Sequence, residues 1–184
     1  RASEPGSPTP ASRRCRCPTH KRSWATWPGS KRSMTSPDPA LAGAFAATTY
    51  RVWLAGDVYD LHLGRGQPGF DAALAVLGVR EWAVITACNP GARMLATDNA
   101  ERTARLLERL AELGRCAVPA CNLADVGDWP AEPGACVLEI DERAACLLAR
   151  EFGQLAVVCG RCGERPRLVW TDVVEGAAGL GKTG

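Results

Sequence analysis

Residues 82–114, WAVITACNPGARMLATDNAERTARLLERLAELG, hold an apolar run, a turn and a charged helix in that order. The run WAVITA is too evenly apolar to alternate, which is the pattern of a strand buried on both faces. Asp98 with Glu101 three positions later forms a capping-box variant, and the helix it opens extends to Leu113 and stops at Gly114. At about 100° per residue, Leu106, Leu110 and Leu113 share one face, widened by Thr103 and Leu107. Glu101, Arg105, Glu108 and Glu112 cover the solvent side. Asn99 projects onto the middle of the apolar stripe, with Arg102 at its edge. A buried amide without partners costs about 1–3 kcal/mol, so polar groups are expected opposite it. The nearest source is the turn Cys88-Asn89-Pro90-Gly91. Pro90 and Gly91 suit the central positions of a type II turn, and the proline favours an extended Asn89 with its side chain free to cap or bind.

Working outward, Asp38-Pro39 reads as the cap and first residue of a short helix ending near Ala46. TYRVWL and VYDLHLG form a hairpin turned at Ala55-Gly56-Asp57, and PGFDAALAVLG is a helix stopped by Gly78. RCAVPA is expected to be an edge strand, because Pro119 cannot donate to a ladder. ACVLEI is a strand, Asp141 caps the helix ERAACLLAREF, and LAVVC and RLVW are the last strands, joined near Gly160 to Pro166. The order α-ββ-α-β-α-β-β-α-β-β describes a single α+β domain over residues 38–171, a mixed sheet covered by three to four helices. There is no internal repeat.

The 184 residues carry a formal charge of +2, which averages two unlike parts. Residues 1–33 hold eight basic residues and one acid, leaving the remainder at a formal −5. An acidic body disfavours a nucleic-acid partner unless the tail does the binding. The Pro-, Ser- and Arg-rich segment 1–37 has no apolar periodicity and is expected to be disordered. It has the character of a transit peptide or basic arm, or it lies upstream of a true start at Met34. Residues 172–184 are read as a flexible tail. No stretch has the length of about 18 apolar residues that crosses a bilayer, and nothing resembles a signal-peptide core, so a soluble, cytoplasmic protein without a membrane partner is expected.

Of the nine cysteines, Cys136, Cys146 and Cys159 read as small buried hydrophobes in a reducing compartment. Cys159 and Cys162 have ligand spacing, and Cys116 with Cys121 offers a looser second pair. Free thiols, a structural zinc and a reactive Cys159/Cys162 couple are the alternatives, and no metal or cofactor is taken as implied. Gly176 to Thr183 matches the phosphate-loop pattern letter for letter, but the sequence ends at Gly184 without the helix that would present the amides, so the match reads as coincidence or as the edge of a fragment.

Thr86, Asn89, Asn99 and Arg102 are placed by the strand, turn and helix to converge. Glu132 and Gln154 stand at the thresholds of buried strands, where side chains reach clefts. Glu132 reads as a general base, as a partner to Arg102 or as a solvated loop acid. Gln154 reads as a ligand contact or as a cap on the preceding helix. His20 lies in the tail and His62 on a strand, which leaves an imidazole mechanism poorly supported. The group forms either a ligand site or a wholly structural network in which Asn99 fixes the loop and Arg102 pairs with Asp98 or Glu132.

WAVITACNP, DNAERTARLLERL, DWPAEPG, VLEID and AREFGQLAVV, in this order and spacing, resemble a bacterial family catalogued as a domain of unknown function, family 3293. The resemblance covers roughly residues 45 to 170. Positions matching the family's polar pattern are Thr86, Asn89, Asn99, Arg102, Trp129, Glu132 and Gln154. The family usually shows an aromatic residue at Cys88, a serine at Gly134 and an asparagine at Leu155, and these departures argue that Cys88 is no nucleophile. The resemblance implies a small soluble bacterial protein and supplies no activity. Two function classes follow. One is a site for a small polar or anionic ligand, with or without slow hydrolytic or transfer chemistry. The other is a protein-interaction module whose polar cluster is purely structural and whose partner the sequence does not name.

Overall fold

In the computed structural model, which describes residues 38–93 and 98–171, the first helix is set by its cap. Asp38 accepts from the amide of Ala40, Pro39 fills the first turn, and α1 runs Pro39–Ala46. The hairpin follows as β1 (Thr48–Leu54) and β2 (Asp57–Leu61). Its two turn residues, Ala55 and Gly56, both take positive φ, 56° and 95°, which matches the twist of the flanking strands. Helix α2 (Pro68–Leu77) stops at Gly78 in the left-handed conformation. Strand β3 (Glu81–Thr86) is buried from Trp82 onward. Then come α3 (Asn99–Glu112), β4 (Ala117–Ala124), β5 (Glu132–Leu138), α4 (Glu142–Glu151), β6 (Ala156–Arg161) and β7 (Arg167–Trp170). The element order read from the sequence is the order observed.

All seven strands form one sheet in the order β2-β1-β4-β5-β3-β6-β7. The expectation of a mixed sheet is corrected: every pairing is antiparallel. β3 and β4 run in the same direction around α3, as do β5 and β6 around α4. Each pair is split by a strand of the other, because β5 lies between β3 and β4, and β3 lies between β5 and β6. The segment β3-α3-β4-β5-α4-β6 is thus the interlocked βαββαβ arrangement of ferredoxin-like folds. The hairpin β1-β2 extends it at one edge and β7 at the other.

β4 is correspondingly an interior strand rather than the expected edge. Pro119 is tolerated because of its register. The bond from Leu138 N to Cys116 O makes 116, 118 and 120 the hydrogen-bonded positions toward β5, so residue 119 turns its nitrogen toward β1. The β1 ladder ends one residue earlier, at Val52 opposite Ala120. No sheet bond is lost.

The two faces of the sheet carry separate cores. α2 covers one with Phe70 and Leu74 against Trp82, Tyr50, Val84 and Val158. α3 and α4 cover the other with Leu106, Leu110, Ala145 and Leu148 against Ile85, Val137 and Val157. Gly160 lets the Trp82 indole lie against β6, since a Cβ there would sit 2.3 Å from the ring. The α3 stripe is narrower than the periodicity suggests: Leu106 and Leu110 are buried, whereas Leu107 and Leu113 are 48% and 38% exposed. Asp98 precedes α3 in an αR conformation and makes no side-chain cap, so the capping-box reading is corrected. Asp141 does cap α4, accepting from Ala144 N at 2.8 Å.

The tail over residues 1–37, the segment 172–184 and its phosphate-loop match lie outside the described residues. Among the described residues no helix is long and apolar enough to cross a membrane.

Candidate functional site

Register places three polar side chains in a row. Tyr50 of β1 pairs with Asn122 of β4, and Asn122 pairs with Glu132, the first residue of β5. Side chains two apart share a face, so all three stand on the face that carries Val52, Ala120 and Cys136. The next β5 residue on that face, Gly134, pairs with Thr86 of β3. A Cβ at Gly134 would lie 2.4 Å from the Ile85 carbonyl oxygen. The serine usual there in the family that the sequence resembles does not fit this backbone.

Above the row a cavity of about 230 Å³ opens between the sheet and α1. Its walls are apolar, with Leu41 and Phe45 from the helix facing Val84 and Val158 from the sheet. Beside Thr48, Tyr50 and Trp129, the polar side chains of its lining are Thr86, Asn122, Glu132 and Gln154. Phe45 is held by an edge-to-face contact with Trp170 at 5.6 Å, and its carbonyl accepts from Tyr50 Oη at 2.9 Å. Burial pushes the Tyr50 phenol well above its usual range, so it remains a neutral donor.

Glu132 is anchored through one oxygen. Its Oε1 accepts from Asn89 Nδ2 at 2.7 Å and from Trp129 Nε1 at 2.9 Å. Asn89 in turn forms a reciprocal pair with Asn99: the Asn89 amide donates to Asn99 Oδ1 and Asn99 Nδ2 donates to Asn89 Oδ1, both at 3.0 Å. Asn89 makes this geometry by adopting the left-handed conformation (φ 46°, ψ 56°), which corrects the extended reading. Gly91, at φ 64°, keeps the positive φ that the turn reading assigned to it. Arg102 donates to the carbonyls of Ala87 and Phe152 at 2.7 and 2.5 Å, tying the first turn of α3 to the ends of β3 and α4. Gln154 Nε2 donates to Cys88 O at 2.7 Å. The end of α4 is closed by backbone, with Gly153 left-handed and the Gln154 amide bonded to Ala149 O, so the side chain is not the cap. Thr86 Oγ1 accepts from Cys88 N and donates to Pro133 O, each at 3.0 Å.

The six candidates therefore gather at one end of β3 but divide into two groups. Thr86, Glu132 and Gln154 line the cavity. Asn89, Asn99 and Arg102 lie behind them under α3, engaged with protein atoms. The sequence reading missed Phe45, Tyr50 and Asn122. Asn122 interrupts an apolar strand and was the available signal, but reading that strand only to Ala120 placed it in a loop.

Cys88 is buried, with its Sγ 3.6 Å from Thr103 Oγ1 and 3.5 Å from Pro133 O. The seven described cysteines are all free. Cys159 belongs to the core under α3 and α4, and burial pushes its thiol up to about 12. Cys162 packs in the core on the other face, donating to Asp71 O at 3.3 Å. Among the described residues no three His, Cys, Asp or Glu side chains are grouped to hold a metal. His62 approaches Asp125 at 4.0 Å, away from the cavity lining.

The model of a family described as "Protein of unknown function (DUF3293)" matches residues 85–157, which bears out the resemblance over that span. No curated protein and no solved structure matches the chain.

Proposed function

We propose that this chain, whose residues 85–157 fall in a family of unknown function, binds a small, largely apolar molecule by one polar end in the cavity under α1. The observation that carries this reading is the cavity itself. About 230 Å³ of open space is faced by apolar walls and by a few polar groups. Ligand sites have this composition, because apolar walls supply affinity and a few polar atoms supply orientation. Glu132 is the one carboxylate in the described lining, and no His, Lys, Arg or Cys accompanies it. That set favours binding over nucleophilic chemistry. Arg102, the reason for expecting an anion, is absent from the cavity lining and gives two of its donors to carbonyls, so the polar cluster under α3 is read as the support of the site.

The setting is proposed to be a bacterial cytoplasm. The family resemblance supports the first word, and seven free described cysteines support a reducing compartment.

The test is a thermal-shift screen of small amphipathic molecules against the wild-type chain and Ala44→Trp. Ala44 lines the cavity from an exposed helix position, so the indole fills the space at little cost to the core. Compounds that raise Tm in the wild type are expected to lose that effect in the variant. A library in which nothing stabilises the wild type would refute the ligand reading.

A further inference from the structure

We infer that the polar end of the ligand is a cation, and that the site selects primary amines carrying an apolar body. The inference rests on the cavity-binding reading above and adds the chemical class. It comes from which hydrogen-bonding capacities the cavity leaves open.

Glu132 uses Oε1 for Asn89 and Trp129, and its Oε2 has no hydrogen-bond partner among the described residues. Both donors on Oε1 are neutral. The described lining contains no Lys, Arg or His, so nothing there offsets the negative charge. Gln154 commits Nε2 to Cys88 O, which leaves its Oε1 without a partner among the described residues. The Asn122 side-chain amide makes no hydrogen bond with a described residue, although it is the register partner of Glu132. The cavity thus presents one charged acceptor, one amide oxygen and one amide of either sense.

A carboxylate beside apolar walls loses hydration that an ordinary alcohol does not fully replace. An ammonium group replaces it with a charge-assisted bond and has three donors for three acceptors: Glu132 Oε2, Gln154 Oε1 and Asn122 Oδ1. A carboxylate ligand meets repulsion at the same place. Trp129 and Asn89 hold the Glu132 side chain in position before any ligand arrives, which lowers the ordering cost of binding. The hydrocarbon part lies against Leu41, Phe45, Val84 and Val158.

Calorimetry with hexylamine, 1-hexanol and hexanoate separates the charge from the apolar body. Hexylamine is expected to bind at least about tenfold more tightly than 1-hexanol, the size of one charge-assisted hydrogen bond. Glu132→Gln retains Oε1 for Asn89 and Trp129 but removes the charge, so it should erase the preference for hexylamine over 1-hexanol. Asn122→Ala should weaken hexylamine by a smaller factor. Equal binding of amine and alcohol, abolished for both by Ala44→Trp, would overturn the cation inference and leave the cavity reading standing. A preference for hexanoate would overturn it also. Failure of hexylamine to bind would overturn the cation inference, while the cavity reading stands or falls by the amphipathic screen.

Discussion

Asn99 illustrates how a polar residue on an apolar stripe is resolved. Its side chain trades two hydrogen bonds with Asn89, one to the backbone and one to the side chain, and so holds the left-handed turn that aims Asn89 at Glu132. Asn99→Ala removes both of these bonds and is expected to destabilise the fold by about 1–3 kcal/mol in denaturant unfolding. The Asn89→Ala/Asn99→Ala pair should cost less than the sum of the single variants, since the same bonds are lost twice. Arg102→Ala removes two bonds from a charged donor and is expected to cost about 1.5–3 kcal/mol. Arg102→Ala should lower hexylamine affinity by less than Glu132→Gln does, because the guanidinium lies outside the cavity lining and supports it only from behind. A cysteine tests burial in the same direct way. The Cys159 thiol, pushed up to about 12 mainly by burial, has almost no thiolate near neutrality. It should resist iodoacetamide at pH 8 in the native state and react once the chain is unfolded.

At the scale of elements, caps and stops were legible because they are local. Asp38, Asp141, Gly78 and Gly153 mark helix ends by side-chain acceptance or positive φ, and a few neighbours suffice to read them. Asp98 failed as a cap because it is itself in an αR conformation, from which its side chain makes no cap bond. The α3 stripe was overread for a related reason: periodicity says which leucines share a side, and only the partner surface says how much of that side is covered. Leu106 is fully buried against β3 and β5, so Leu106→Ala is expected to cost about 2–5 kcal/mol, whereas Leu107→Ala, half exposed, should fall within about 0.5 kcal/mol of wild type. Gly134 carries a constraint between strands. Gly134→Ser requires the β3-β5 pairing to spread around the Ile85 carbonyl, and loss of stability is expected to appear together with loss of hexylamine binding.

At the scale of the molecule, one sheet separates a face packed under α3 and α4 from a face shared between α2 and the cavity under α1. We propose that residues 38–171 form a single folding unit, and a fragment with those ends is expected to melt within a few degrees of the full chain in calorimetry. The sequence by itself determined the α+β class, the type and order of the twelve described elements apart from the short turn at Pro90–Ala92, and the convergence of Thr86, Asn89, Asn99 and Arg102 at the end of β3. These follow from periodicity, turn chemistry and the short reach of one loop, all of which act within a few residues. The strand order, the antiparallel sense of every pair and the cavity were decided only by the tertiary structure. Inserting β5 between β3 and β4 is what sets Asn122 beside Glu132 and puts Thr86 opposite Gly134. Such pairings arise from satisfying backbone donors and acceptors across the whole sheet while both faces are covered. No local pattern at Asn122 or Glu132 encodes which strand will lie alongside.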